Sequence, residues 1–216
     1  MNEQIRYYQR RAKEYEAIYQ KPERQVDLKQ IRQYLGQQFP NKHILEIASG
    51  TGYWTQILST SAKQILATDI NPEVLAIAKE KDYPHQNVKF QLQDLYQMFP
   101  PETPFQGLFG GFILSHIARD DWKSFFSNCL SQISSGANLI FLDNRYVSGS
   151  STPISRRDAR GNTFQNRRLA SGEVFEVMKN FPSESELKQV LSNMVTEWDW
   201  IEWEYYWLLK CRKAAS

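Results

Sequence analysis

The chain is short of several things, and each shortage excludes a class of protein. It has two cysteines, Cys129 and Cys211, and three histidines in 216 residues. That is too few for a disulfide framework, and none of their spacings matches a metal site, so no metal is expected. No stretch approaches the ~20 apolar residues of a spanning helix. The polar start MNEQIRYYQRR lacks the apolar core of a signal peptide. Neither membrane nor export is therefore expected, and a reducing cytoplasm is the simplest setting. Charge of one sign is missing too: 26 basic residues against 24 acidic leave a net +2, so no global pull towards nucleic acid exists. What is present, 41% hydrophobic and 13% aromatic residues, suffices for one well-buried domain, monomeric or homodimeric.

Glycine is scarce as well, with ten in the chain, yet two stand together in LEIASGTGYW, residues 45–54. An apolar run (Ile44, Leu45, Ile47) carrying Glu46 breaks into Gly50-Thr51-Gly52 just before a helix start, which reads as strand, tight turn, helix. Glycines at alternate positions let the backbone turn sharply and leave no Cβ between it and a ligand. A dinucleotide site would use G-x-G-x-x-G, but the third glycine position holds Thr55, after the bulky Tyr53 and Trp54. An acid near the strand end also suits an ammonium group better than phosphates.

This segment resembles motif I of the class I S-adenosylmethionine (SAM) dependent methyltransferases, an acid, three residues, then G-x-G, with Ala48 where many members have glycine. Downstream, Gln64–Thr68 reads as a strand ending in Asp69, 17 residues after Gly52, where a nucleotide fold carries its ribose-binding acid. Ile70 then faces the cleft, and Asn71-Pro72-Glu73 starts a helix. Val88–Leu92 reads as a third strand, and Gln93-Asp94-Leu95 after it resembles the family's adenine-binding corner, with Asp94 accepting from the adenine amino group. The resemblance implies SAM as cofactor and S-adenosylhomocysteine (SAH) as product. It implies a cofactor site of Tyr8, Arg11, Tyr15, Glu46, Ala48, Ser49, Gly50, Gly52, Trp54, Asp69, Ile70, Asp94, Leu95 and Ser115.

Helices and strands alternate along the rest, the signature of a doubly wound, mostly parallel sheet with helices on both faces. The resemblance makes it a seven-stranded Rossmann-like sheet whose last strand is antiparallel. Residues 107–114 form a fourth strand, Arg119–Ile133 a helix closed by Gly136, and Ala137–Leu142 a fifth strand. A capping box, Ser183 and Glu186, opens a helix to Met194. Trp198–Leu209 is a terminal hairpin. The expected layout is one domain: N-terminal helices over 1–40, a SAM-binding core over 41–144, a substrate-side insertion over 145–182, then the last helix and strands over 183–216.

Two segments outside the core define the acceptor side. Ile5, Tyr8, Ala12, Tyr15 and Tyr19 recur at helical spacing, either as a lid over the cofactor or as packing against the sheet edge. Pro22 ends that helix, and Asp27–Phe39 is a second. The other segment, Arg145–Gly172, has six arginines against one acid, Asp158. It reads either as a clamp on an anionic group or as a solvated loop. Tyr19, Arg145, Tyr146, Arg156 and Arg168 are the substrate-side candidates. His116, beside Ser115 after the fourth strand, could act as a base or could fix its loop by hydrogen bonds. Ser115-His116-Ile117-Ala118 stands where nucleobase methyltransferases carry Asn/Asp-Pro-Pro-aromatic, so a small-molecule acceptor is expected. The alternatives are a non-catalytic SAM-binding protein, an NAD-type oxidoreductase, and an RNA or protein methyltransferase.

Overall fold

A computed structural model describes residues 3–215. Its centre is a seven-stranded sheet in the order β3-β2-β1-β4-β5-β10-β9. The strands are β1 (His43–Ile47), β2 (Gln64–Asp69), β3 (Val88–Leu92), β4 (Phe105–Gly111), β5 (Ile133–Asn144), β9 (Val195–Glu202) and β10 (Tyr206–Lys213). β1 to β5 pair in parallel, while β10 runs antiparallel to both β5 and β9. The order reverses between β1 and β4, which places a ligand crevice beyond their C-terminal ends.

Alternation along the strands feeds two apolar clusters, one per face. Ile44 packs with Leu28, Ile31 and Leu58, from α2 (Gln25–Leu35) and α3 (Tyr53–Ser59). Leu45 and Ile47 pack with Phe125, Phe126 and Leu187, from α5 (Trp122–Ser131) and α6 (Glu184–Leu191). Each such side chain, fully buried, contributes roughly 1.5–3 kcal/mol, so packing on both faces fixes the strands whose C-terminal ends carry the site. Helix α4 (Pro72–Lys79) follows β2 at once, and α6 begins with the expected capping box. Between β5 and α6 the insertion forms its own three-stranded sheet, β6 (Arg156–Arg157), β7 (Thr163–Arg168) and β8 (Val174–Met178).

Several boundaries differ from the sequence reading. The N-terminal stripe is not one helix: α1 (Glu3–Arg11) gives way to a 3₁₀ segment, Ala12–Gln20. Glu16 there accepts from Thr51 Oγ1 and pairs with Lys81, so contacts to the glycine turn and to the residues after α4 draw the segment into tighter winding. The helical run stops at Gln20, just before Pro22, which itself opens a short turn, and α2 stops at Leu35, although Phe39 beyond it is still buried. Gly136 is no helix terminator. It sits inside β5 at φ +73°, where the pairing with β4 shifts register, because Ile133 already pairs with Phe105. Among the described residues no helix is long and apolar enough to cross a membrane, and no group of His, Cys, Asp and Glu is placed to hold a metal.

Candidate active site

Two cavities open at the C-terminal edge of the sheet. The first, about 280 Å³, runs over β1, β2 and β4 and is lined by Ala48, Gly50, Asp69, Ile70, Asp94 and Leu95, with Tyr8 and Tyr15 above. Gly50 has φ +57°, and a Cβ there would point at the Tyr15 ring 3.8 Å away, into space a ligand needs. Asp69 is fixed beneath it, one oxygen accepting from Gly50 N–H and the other from Asn71 N–H, both at 2.9 Å. Burial raises its pKa, and those backbone donors oppose the shift. Asp94 accepts from Tyr96 N–H at 2.9 Å, which fixes the corner after β3. A carboxylate for ribose hydroxyls, a bare turn and an apolar slot with an acid at its end make a chemical match to a nucleoside bearing an amino-acid tail.

Other residues expected around the cofactor lie elsewhere. Glu46 is 1% exposed and does not line the cleft; burial pushes its pKa up to about 8, and one of its oxygens has no partner. Ser49 is also buried, its hydroxyl unpartnered. At Gly52 a Cβ would meet the Tyr83 hydroxyl at 2.6 Å, so this glycine serves packing against the end of α4. Trp54 is core, its indole N–H donating to Tyr19 at 3.1 Å. Ser115 is fully buried and accepts from Lys179. Arg11 lines the second cavity instead of the first.

That second cavity, about 350 Å³, lies between the N-terminal segment and the insertion. Arg11, Lys21, Arg24, Arg167, Arg168 and Lys179 line it, against one acid, Glu14. Arg24 is 7% exposed and donates to the Ser150 hydroxyl at 3.0 and 3.3 Å. Arg167 donates to Gln165 Oε1 and to the Tyr8 hydroxyl. Every acceptor these two guanidiniums have is neutral. Lys179 donates to Asp143 at 2.8 Å and to Ser115 at 2.6 Å; burial lowers its pKa to about 8 against the pull of Asp143. Of the expected substrate-side residues, Tyr19 and Arg168 are here. Arg145 turns to Glu202 and the Trp203 carbonyl, Tyr146 packs on Phe181, and Arg156 pairs with Glu176 over the Phe164 ring. Arg24 and Lys179 carried no local signal, since the fold alone brings them together. Arg167 was one of six arginines, and nothing local to it set it apart from the other five.

His116 stands where the cavities meet. Its Nδ1 lies 2.6 Å from the Met178 carbonyl, which can only accept, so Nδ1 carries the proton and Nε2 accepts from the Tyr8 hydroxyl at 2.6 Å. Burial, with the charges of Lys179 and Arg167, holds its pKa well below the ordinary value. The ring is neutral with both nitrogens engaged, and a base role would first require breaking the Tyr8 bond.

A family model described as a methyltransferase domain matches residues 44–136. The structure described as a DhpI–SAH complex is 27% identical, covering 99% of this chain and 97% of that one with a TM-score of 0.77. A DhpI–SAM–HEP complex is 26% identical over 97% and 96%, with a TM-score of 0.79. The N-methyltransferase NodS from Bradyrhizobium japonicum WM9 shares the fold at 16% identity and a TM-score of 0.61, over 90% of this chain and 99% of that one. No curated protein matches the sequence significantly.

Proposed function

The chain is a class I SAM-dependent methyltransferase, and we propose that it methylates a small anionic acceptor seated in the arginine-lined cavity. The observation that carries this reading is the pair of inward guanidiniums, Arg24 and Arg167, whose hydrogen bonds go only to neutral groups. Removing such charges from water is costly without an anion to meet them, and a planar guanidinium offers paired donors that match a carboxylate or phosphate. Lys179 adds a third donor at the cavity wall.

SAM, when bound, supplies a methyl group already activated by its sulfonium. What the residues must add is position. Asp69 would hold the ribose hydroxyls and Gly50 would admit the tail, with Ile70 and Leu95 on the adenine side. Arg24, Arg167 and Lys179 would fix the acceptor's charge, so that its reacting atom lies on the Tyr8 and Phe112 side of the cavity. The concave setting supports a small molecule over a nucleic acid or protein chain, and net charge adds no pull towards nucleic acid. The two buried free thiols, Cys129 and Cys211, fit a reducing, cytoplasmic setting.

Thermal unfolding with SAH, followed by titration of inorganic phosphate, small carboxylates or neutral amides and alcohols of like size, tests the acceptor class. Anions are expected to raise the midpoint further and the neutral compounds are not; Arg167→Met should abolish the anion effect. Equal responses to both classes would refute the reading.

A further inference from the structure

Four residues, Tyr8, Tyr15, Phe112 and His116, line both cavities. They come from two stretches of chain far apart in sequence, 8–15 and 112–116. With Tyr19 they make an unbroken arc of rings. Centroids lie 5.2 Å apart from His116 to Tyr8 and 6.0 Å from Tyr8 to Tyr15. The arc continues at 6.3 Å from Tyr15 to Tyr19 and 6.1 Å from Tyr19 to Phe112. Aromatic rings at such separations touch edge to face and leave no gap between neighbours.

The arc is held from outside. Tyr8 is bonded to His116, and His116 to the Met178 carbonyl. Phe112 is held most firmly. It has φ +59°, a conformation a bulky residue adopts only under constraint, and its N–H donates to the Leu142 carbonyl at 2.7 Å. Trp54 and Tyr206 brace its ring at 6.2 and 5.9 Å.

We propose that this arc is a collar around the line of methyl transfer, and that Phe112 sets its width and thereby the class of acceptor. The inference rests on reading the arginine-lined cavity as the acceptor site. The donor lies on one side of the collar and the acceptor's charged head on the other, so the reacting atom alone must enter it. That atom's lone pair forms the new bond to the methyl carbon while the S–C bond returns its pair to sulfur; an amine or hydroxyl releases its proton to water. A second substituent on the reacting atom, or a branch on the carbon that bears a reacting hydroxyl, would lie across the collar and strike a ring. The enzyme therefore takes primary amines, primary hydroxyls or terminal oxyanions, and stops after one methyl on an amine.

The test compares SAH release from pairs of anions of equal charge: 3-aminopropionate with its N-methyl derivative, 2-aminoethyl phosphate with its N-methyl derivative, and 3-hydroxypropionate with 3-hydroxybutyrate. In every pair that reacts, the hindered member should show kcat/KM at least ~100-fold lower, through kcat and with little change in KM. Phe112→Gly and Phe112→Asn both tolerate the left-handed backbone and should shrink that ratio at least ~10-fold, with a single cooperative thermal transition in each variant confirming an intact fold. Pairs that react equally in the parent overturn the collar alone. So does a ratio unchanged in both variants, or anions that bind with no unhindered member methylated. If no anion binds or reacts, the anionic-acceptor reading falls, and the collar with it.

Discussion

The cofactor cleft and the acceptor cavity lie side by side, yet they are built in opposite ways. The cleft draws on three successive strand ends, with Gly50, Asp69 and Asp94 each supplied by a stretch a few residues long. Much of its precision is backbone: Asp69 is held by two main-chain N–H groups and Asp94 by one. The acceptor cavity draws on Arg11, Arg24, Arg167 and Lys179, spread over most of the chain and held through side chains. A nucleotide common to many enzymes is met by strand ends that the fold itself supplies. The acceptor proposed for this enzyme would be met by charges that a few substitutions could rearrange without touching the sheet.

That division can be broken by experiment. Asp69→Ala should weaken SAH binding ~100-fold by calorimetry, since hydrogen bonds to a charged group are worth ~1.5–3 kcal/mol each, while phosphate binding stays unchanged. A loss at both sites would show that the two regions are not separable. Arg167→Met should raise the KM of an anionic acceptor ~30-fold and leave SAH affinity alone. At the junction, Tyr8→Phe and His116→Ala should each lower kcat ~10-fold, with the double variant short of the ~100-fold that independent losses would give, because the Tyr8–His116 bond is lost in all three. The rate profile should also show no limb near pH 6.5, as His116 stays neutral through that range. The smallest effect concerns pH. Lys179, lowered to about 8, is charged below that value and neutral above it, so anion affinity should fall ~5-fold as pH rises through 8 towards 9. Lys179→Met should flatten that limb at the weaker affinity.

The sheet and the cofactor cleft were legible for the reason the regions differ. Hydrophobic alternation and a glycine turn are local signals, and the strand ends from Gln64 to Asp69 and from Val88 to Leu92 lie where the sequence places them. Errors came where distant contacts decide. Glu46 reads as a ligand acid because its spacing is right, but its side chain is buried out of the cleft. Ser115 stands at a productive strand end yet is taken by Lys179 and Asp143, a contact spanning 64 residues to the lysine. Arg24 follows a proline in an unremarkable charged stretch and becomes a cavity wall only when Tyr205 and Tyr206 of the last strand region come beneath it.

Helix α1 touches both regions at once. Gln4, Ile5 and Tyr8 lie across the cofactor cleft, Gln9 donates to Glu73 of α4 at 2.6 Å, and Tyr7 is plugged into the small core of the insertion with Leu169, Phe175 and Val177. Exchange of one nucleotide for the next has to disturb a helix that the insertion also holds. The residence time of SAH is then expected to depend on the packing of β8 against Tyr7, and loosening it from the far side, as Phe175→Ala would, should shorten that time in stopped-flow displacement.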